Sequence, residues 1–187
     1  MKKTLSIALL ISLAMFIATV QIAPAFAEHQ GHEPSDENNV VHQVTFRSGL
    51  TGSQQNPGVT TNAFGMATVR LIDNGTAISF RVIVCDITNV TASHIHVGAA
   101  GTNGPVIIPF VHGVLFSSAH GCKTLAEGTR TVSDLNTKAS PMIMSWNDFV
   151  KALLAGNTYI NVHTTANPGG EIRGQLVHEH ENEQGDD

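Results

Sequence analysis

Three histidines have the type and spacing that metal chemistry needs. His94 and His96 stand two apart in Ser93-His94-Ile95-His96-Val97. In an extended chain such residues share one face while Ile95 and Val97 take the other. About 7 Å separates them at the backbone, close enough for two imidazoles to share one ion. His163 ends the stretch Tyr159-Ile160-Asn161-Val162-His163. With Ile160 and Val162 turned to the core, His163 and Asn161 face the other way. The stretch from Glu171 to Val177 repeats the arrangement, with Ile172 and Leu176 inward and Glu171, Arg173 and Gln175 outward. If these strands are neighbours, three imidazoles and a guanidinium converge on one polar face.

Imidazole is a ligand that copper and zinc share. The expected cofactor is therefore a copper or zinc ion held by His94, His96 and His163. His112 and His120, between the HxH strand and Cys122, are the candidates for a fourth ligand. Metal binding needs neutral imidazoles, so affinity should fall as pH drops through the ordinary histidine range near 6.5. Arg173 either attracts a small anion or pairs with Glu171 or another carboxylate. The competing account of all these residues is the wet side of an ordinary sheet. Met142 and Met144 have thioethers for Cu(I) but are expected to fill the core. No serine or cysteine nucleophile with partners and no phosphate-cradling glycine loop is visible.

The elements that must position these residues are strands. Ala67, Val69 and Leu71 alternate with Thr68 and Arg70, and Ile78, Phe80, Val82 and Val84 alternate with Ser79 and Arg81. Asn74-Gly75 between them suits a type I′ hairpin turn, which needs positive φ at both central residues. Further strands are expected at residues 41–46, 93–97, 106–110, 158–164 and 171–177. One short helix interrupts them. Trp146, Phe149, Val150, Leu153 and Leu154 recur at helical spacing as a core stripe, Ser145 caps the start with Asp148 in the third position, and Gly156 ends it.

Lys2 and Lys3, an apolar run from Leu5 to Val20 and Ala25-Phe26-Ala27 describe a signal peptide cleaved between Ala27 and Glu28. The run is short for a membrane span, so no span is expected after cleavage. Residues 28–39 form an acidic, histidine-bearing leader and residues 178–187 a similar tail, both expected to be flexible. The domain proper lies at 40–177. Without residues 1–27 the chain has eight basic against fifteen acidic residues. That sign argues against nucleic acid as a partner. Charged residues are only 13% of the whole, as in a turn-rich β domain rather than a disordered chain. Cys85 and Cys122 are expected to form one disulfide in an oxidising space, stabilising the fold by about 4 kcal/mol in the chain-entropy model. A thiolate metal ligand is the alternative use.

The segments Gly52–Pro57, Ala92–Val106, Leu154–Thr164 and Pro168–Leu176 resemble the signature segments of the CHRD family, the domain found in chordin and in many exported microbial proteins. The resemblance implies an all-β fold, an antiparallel Greek-key sandwich of the superoxide-dismutase-like kind with one short helix. A fainter likeness is to copper/zinc superoxide dismutase: an HxH pair, a distant strand histidine, then a glycine-flanked arginine. It would give His94, His96 and His163 the place of copper ligands and Arg173 a catalytic, anion-steering role, although no histidine-and-aspartate zinc loop matches. The expectation is a secreted metal-binding protein. The alternatives are a metal-free module that binds an extracellular protein or the cell envelope and, further off, a copper-dependent dismutase. The balance is against an enzyme.

Overall fold

A computed structural model describes residues 44–179. The expected signal peptide, its expected cleavage site, the expected leader and residues 180–187 of the expected tail lie outside the described residues.

The described chain folds as strands β1 (Thr45–Thr51), β2 (Phe64–Ile72), β3 (Ala77–Cys85), β4 (Val90–Val97), β5 (Val106–Phe116) and β6 (Cys122–Thr131), helix α1 (Trp146–Leu154), then β7 (Thr158–Thr164), β8 (Ile172–Gln175) and β9 (Val177–His178). All the strand pairings are antiparallel. The order is β5-β4-β7-β8-β1-β2-β3-β6, with β9 added to β1. Two four-stranded halves meet where β8 and β1 share a single bridge, Thr51 opposite Arg173. β6 returns beside β3 and β7 beside β4, long connections that produce Greek-key winding. The halves close on each other: Phe80 of β3 stacks on Phe110 of β5 at 3.8 Å, and Arg130 of β6 donates to the Pro109 and Phe110 carbonyls. This is the expected all-β sandwich, curled toward a flattened barrel.

Period-two alternation supplies the core. Phe46, Leu50, Val69, Ile78, Val82 and Val84 from one half meet Ile95, Ile160, Val162 and Ile172 from the other, all fully buried. Each such side chain contributes about 1.5–3 kcal/mol by leaving water. Helix α1 buries Trp146, Phe149 and Leu153, while Leu154 of the expected stripe is exposed. Ser145 Oγ accepts from the Asp148 N–H, and the Asp148 carboxylate in turn accepts from the Ser145 hydroxyl. Among the described residues no helix is long and apolar enough to cross a membrane.

Several local expectations shift. The hairpin turn is not two residues wide. Ile72 pairs with Ala77, and Asp73, Asn74 and Gly75 all take positive φ, because Asp and Asn tolerate the left-handed region. The strand expected at 41–46 runs instead over Thr45–Thr51, and β6 was not anticipated. Met142 and Met144 are 69% and 70% exposed and do not fill the core; Ile143 between them is the buried anchor. His178, expected in the tail, lies in β9 opposite Phe46. Cys85 and Cys122 form the expected disulfide across the last rung of the β3–β6 ladder.

Candidate metal centre

The site is a set of cross-strand rows on β4, β7 and β8. His96 pairs with Tyr159 and Tyr159 with Gln175; His94 pairs with Asn161 and Asn161 with Arg173; Ala92 pairs with His163. Side chains in one row share a face, so the three histidines, Tyr159, Asn161 and Arg173 lie together. The ring centroids of His94, His96 and His163 are 5.0 to 6.1 Å apart. One ring nitrogen from each falls within 4.8 Å of the others. The convergence expected from spacing alone is present.

Much of the face is covered, which corrects the expectation of an outward polar surface, and His94 and His163 remain half-buried at its edge. Arg173 is 1% exposed and His96 7%; Tyr159 and Asn161 are buried as well. The segments joining β1 to β2, β4 to β5 and β7 to β8 fold back as a roof. Gln55 donates from the first to Asn161 Oδ1 at 2.7 Å. Asn161 itself donates to the Gly169 carbonyl in the third. Asn103 in the second donates to the Asn56 carbonyl and accepts from Arg173. Alternation identifies a face that is not core, but it cannot distinguish water from a loop lying on top.

The roof also fixes the rings. His96 Nδ1 lies 2.9 Å from the Gly104 carbonyl oxygen and His163 Nδ1 2.9 Å from that of Pro168. A carbonyl only accepts, so both Nδ1 atoms carry the proton and both Nε2 atoms are lone pairs. His96 Nε2 is buried and has no hydrogen-bond partner among the described residues. His94 Nδ1 sits 3.3 Å from His163 Nε2. Two ligands on one ion at about 2.05 Å bond length lie about 3.3–3.6 Å apart. Oriented second nitrogens are the usual support of metal-bound histidine. The donor set on offer is thus His94 Nδ1, His96 Nε2 and His163 Nε2.

Gly104 is the hinge of this support. Its carbonyl also accepts from the Tyr159 hydroxyl, whose oxygen accepts from the Gly104 N–H. A Cβ at this position would run into the Val97 carbonyl. Only glycine lets the roof come this close.

Burial pushes His94 and His96 down to about 4. For His94 the neighbouring imidazoles of His163, His96 and His112 add to the effect. For His96 the Gly104 carbonyl opposes it, while His163 and Arg173 reinforce it. His163 is lowered by burial against the pull of the Pro168 carbonyl. His94 and His96 therefore stay neutral well below the 6.5 expected from sequence, which moves their proton competition to near pH 4.

Arg173 does not pair with Glu171. The Glu171 carboxylate accepts from Thr61 and Thr164, and the guanidinium donates to Asn103 Oδ1 and the Ala99 carbonyl. It lies flat on Tyr159, 3.4 Å from the ring centroid, and Tyr159 stacks on His96 at 4.8 Å. His112 is not in a loop but in β5, opposite Ala92, on the same face and exposed. It acts on His94 through charge yet stands outside the three-histidine cluster. His120 lies in the exposed turn before Cys122, also outside the cluster. Cys85 and Cys122 are bonded to each other, which leaves no thiolate ligand among the described residues.

The two carbonyls and Tyr159 escaped sequence reasoning, although Gly104-Pro105 and Pro168-Gly169-Gly170 mark the turns that present them. Comparison with curated proteins and with solved structures finds no match. The profile of the CHRD domain matches residues 46–176, from the first core side chain of β1 to the last residue before β9, and includes all three histidines. The chain belongs to the CHRD domain family.

Proposed function

We propose that this protein is an exported CHRD module that binds one copper or zinc ion through His94 Nδ1, His96 Nε2 and His163 Nε2. The observation that carries this reading is the buried, unpartnered Nε2 of His96. A lone pair withdrawn from water with no donor is unfavourable unless something electrophilic meets it. Its sister nitrogen is already committed to Gly104, and the other two histidines supply lone pairs within ligand distance. Three imidazoles leave one coordination position open, as metal sites that accept an exogenous ligand do. His112, exposed on the same face, is the side chain closest in register to fill it. Export fits the disulfide and the charged, apolar start of the chain. Dismutation would in addition need a redox-active copper and access for superoxide.

Metal stoichiometry of the natively purified protein tests the proposal. One equivalent of copper or zinc is expected, lost in His94→Ala and in His163→Ala. Stoichiometry unmoved by either substitution ends it.

A second reading, an extracellular module that binds another protein, is supported by exposed apolar side chains around α1. Met142, Met144 and Leu154 are all more than half exposed, and a groove between α1 and residues 97–99 is lined by Ile143, Ala152 and Met142. Loss of a physiological partner in a Met142→Ser, Met144→Ser double variant that still binds metal would separate this surface from the histidine site.

A further inference from the structure

The guanidinium of Arg173 is a buried charge with no counter-charge among the described residues. Its partners are a neutral amide oxygen and a backbone carbonyl, and no salt bridge to it occurs among the described residues. It stands one aromatic ring from His96, because Tyr159 of β7 is flanked by β4 on one side and β8 on the other and stacks on both side chains. The three candidate ligands are neutral, and among the described residues no carboxylate or thiolate joins them. A metal ion here would feel Arg173 with no anionic ligand to offset it.

We infer, on the footing of the metal-binding reading above, that the Arg173 charge makes this a site for monovalent copper in preference to a divalent ion. A dication suffers twice the repulsion that a monocation does. The guanidinium lies 3.4 Å from the Tyr159 ring, which lies 4.8 Å from that of His96. For a unit charge on the order of 9 Å away at an effective dielectric constant of about 20, each unit of metal charge weakens binding roughly twentyfold. The coordination number acts in the same direction. Zinc takes four ligands, so three imidazoles would leave it to recruit another, whereas Cu(I) is satisfied by three nitrogens.

Arg173 is too enclosed to be the anion guide that the likeness to a dismutase implies. Both terminal nitrogens are engaged under the roof and 1% of the residue is exposed. Its field, rather than contact with an anion, is what it offers the site.

The test is the ratio of Cu(I) to Zn(II) affinity in the full-length exported protein. Cu(I) is measured under anaerobic, reducing conditions against a bidentate Cu(I) chelator, and Zn(II) against a chromophoric zinc chelator. Arg173→Gln removes the charge and is expected to tighten both ions, zinc the more, and so to lower the ratio about twentyfold. Asn103→Asp keeps the acceptor for Arg173 and sets a carboxylate on the guanidinium at an exposed position, at the cost of the donation to the Asn56 carbonyl. It should lower the ratio severalfold and keeps the test open if Arg173→Gln fails to fold, while Arg173→Lys should preserve the ratio. A ratio unmoved by Asn103→Asp in folded protein overturns the monovalent preference and leaves the metal site standing. If the wild type binds neither ion, the metal reading falls and this inference falls with it.

Discussion

The two halves of the sandwich carry the same alternation and use it differently. On β2 and β3 the polar positions Arg70 and Arg81 face solvent; Arg81 is 58% exposed at its side chain and paired with Glu127. On β8 Arg173 occupies an equivalent polar position and is enclosed, without a carboxylate. The difference lies in the connections. β2 and β3 are joined by residues 73–76 alone, too few to reach over a face. The segments 52–63, 98–105 and 165–171 between the site strands and their neighbours are long enough to roof theirs. A polar sheet face becomes a site when loops exclude water from it, since exclusion strengthens every charge–ion interaction beneath.

Breaking the covalent link of the open half should have the largest effect on stability and leave the roofed half working. A Cys85→Ala, Cys122→Ala double variant is expected to lose about 4 kcal/mol of unfolding free energy. Denaturant titration measures that loss, while metal affinity of the folded protein should stay within about threefold. Gly104→Ala attacks the roof instead. Displacing the carbonyl that holds His96 should reduce metal affinity about 10–100-fold, and the forced loop shift should cost roughly 1–3 kcal/mol; calorimetric titration and thermal melts give the two numbers. A Gly104→Ala protein with unchanged affinity would mean that the roof does not orient the ring.

Acid sharpens the same contrast. His94 and His96 titrate near 4 when folded and near 6.5 when unfolded. Between these values the unfolded chain binds more protons, so apoprotein stability is full above about 6.5, declines as pH falls toward 4 and then levels off. Unfolding curves of the apoprotein at several pH values, compared with His94→Ala, should show the decline diminished in the variant. The smallest effect belongs to the exposed face. Arg81→Ala should alter stability by less than about 0.5 kcal/mol and metal affinity not at all, whereas a large change would show that the open face is not an ordinary solvated surface.

Much of this was legible in the residues. The HxH parity, the Ile160 and Val162 core positions and the Ser145 cap are local, and local patterns survive folding. β6 was illegible because Cys122–Thr131 has no buried residue, has few apolar alternations and pairs with β3 through a register shift at Val82/Ile83. The roof was illegible for another reason. Gln55 meets Asn161 across 106 positions and Arg173 meets Asn103 across 70, and no periodicity records such contacts. The expected proton competition near 6.5 failed for the same cause, since it assumed rings in water.

Tyr159 is the only tyrosine in the chain and Trp146 the only tryptophan. One is stacked on His96; the other donates from its indole to the Gly75 carbonyl, binding α1 to the β2–β3 turn. The molecule therefore holds two chromophores at separate places, a phenol packed against the histidines and an indole that reports whether α1 stays docked on the sandwich. A change at the site and the loss of the fold can thus be watched through different side chains, with no label added.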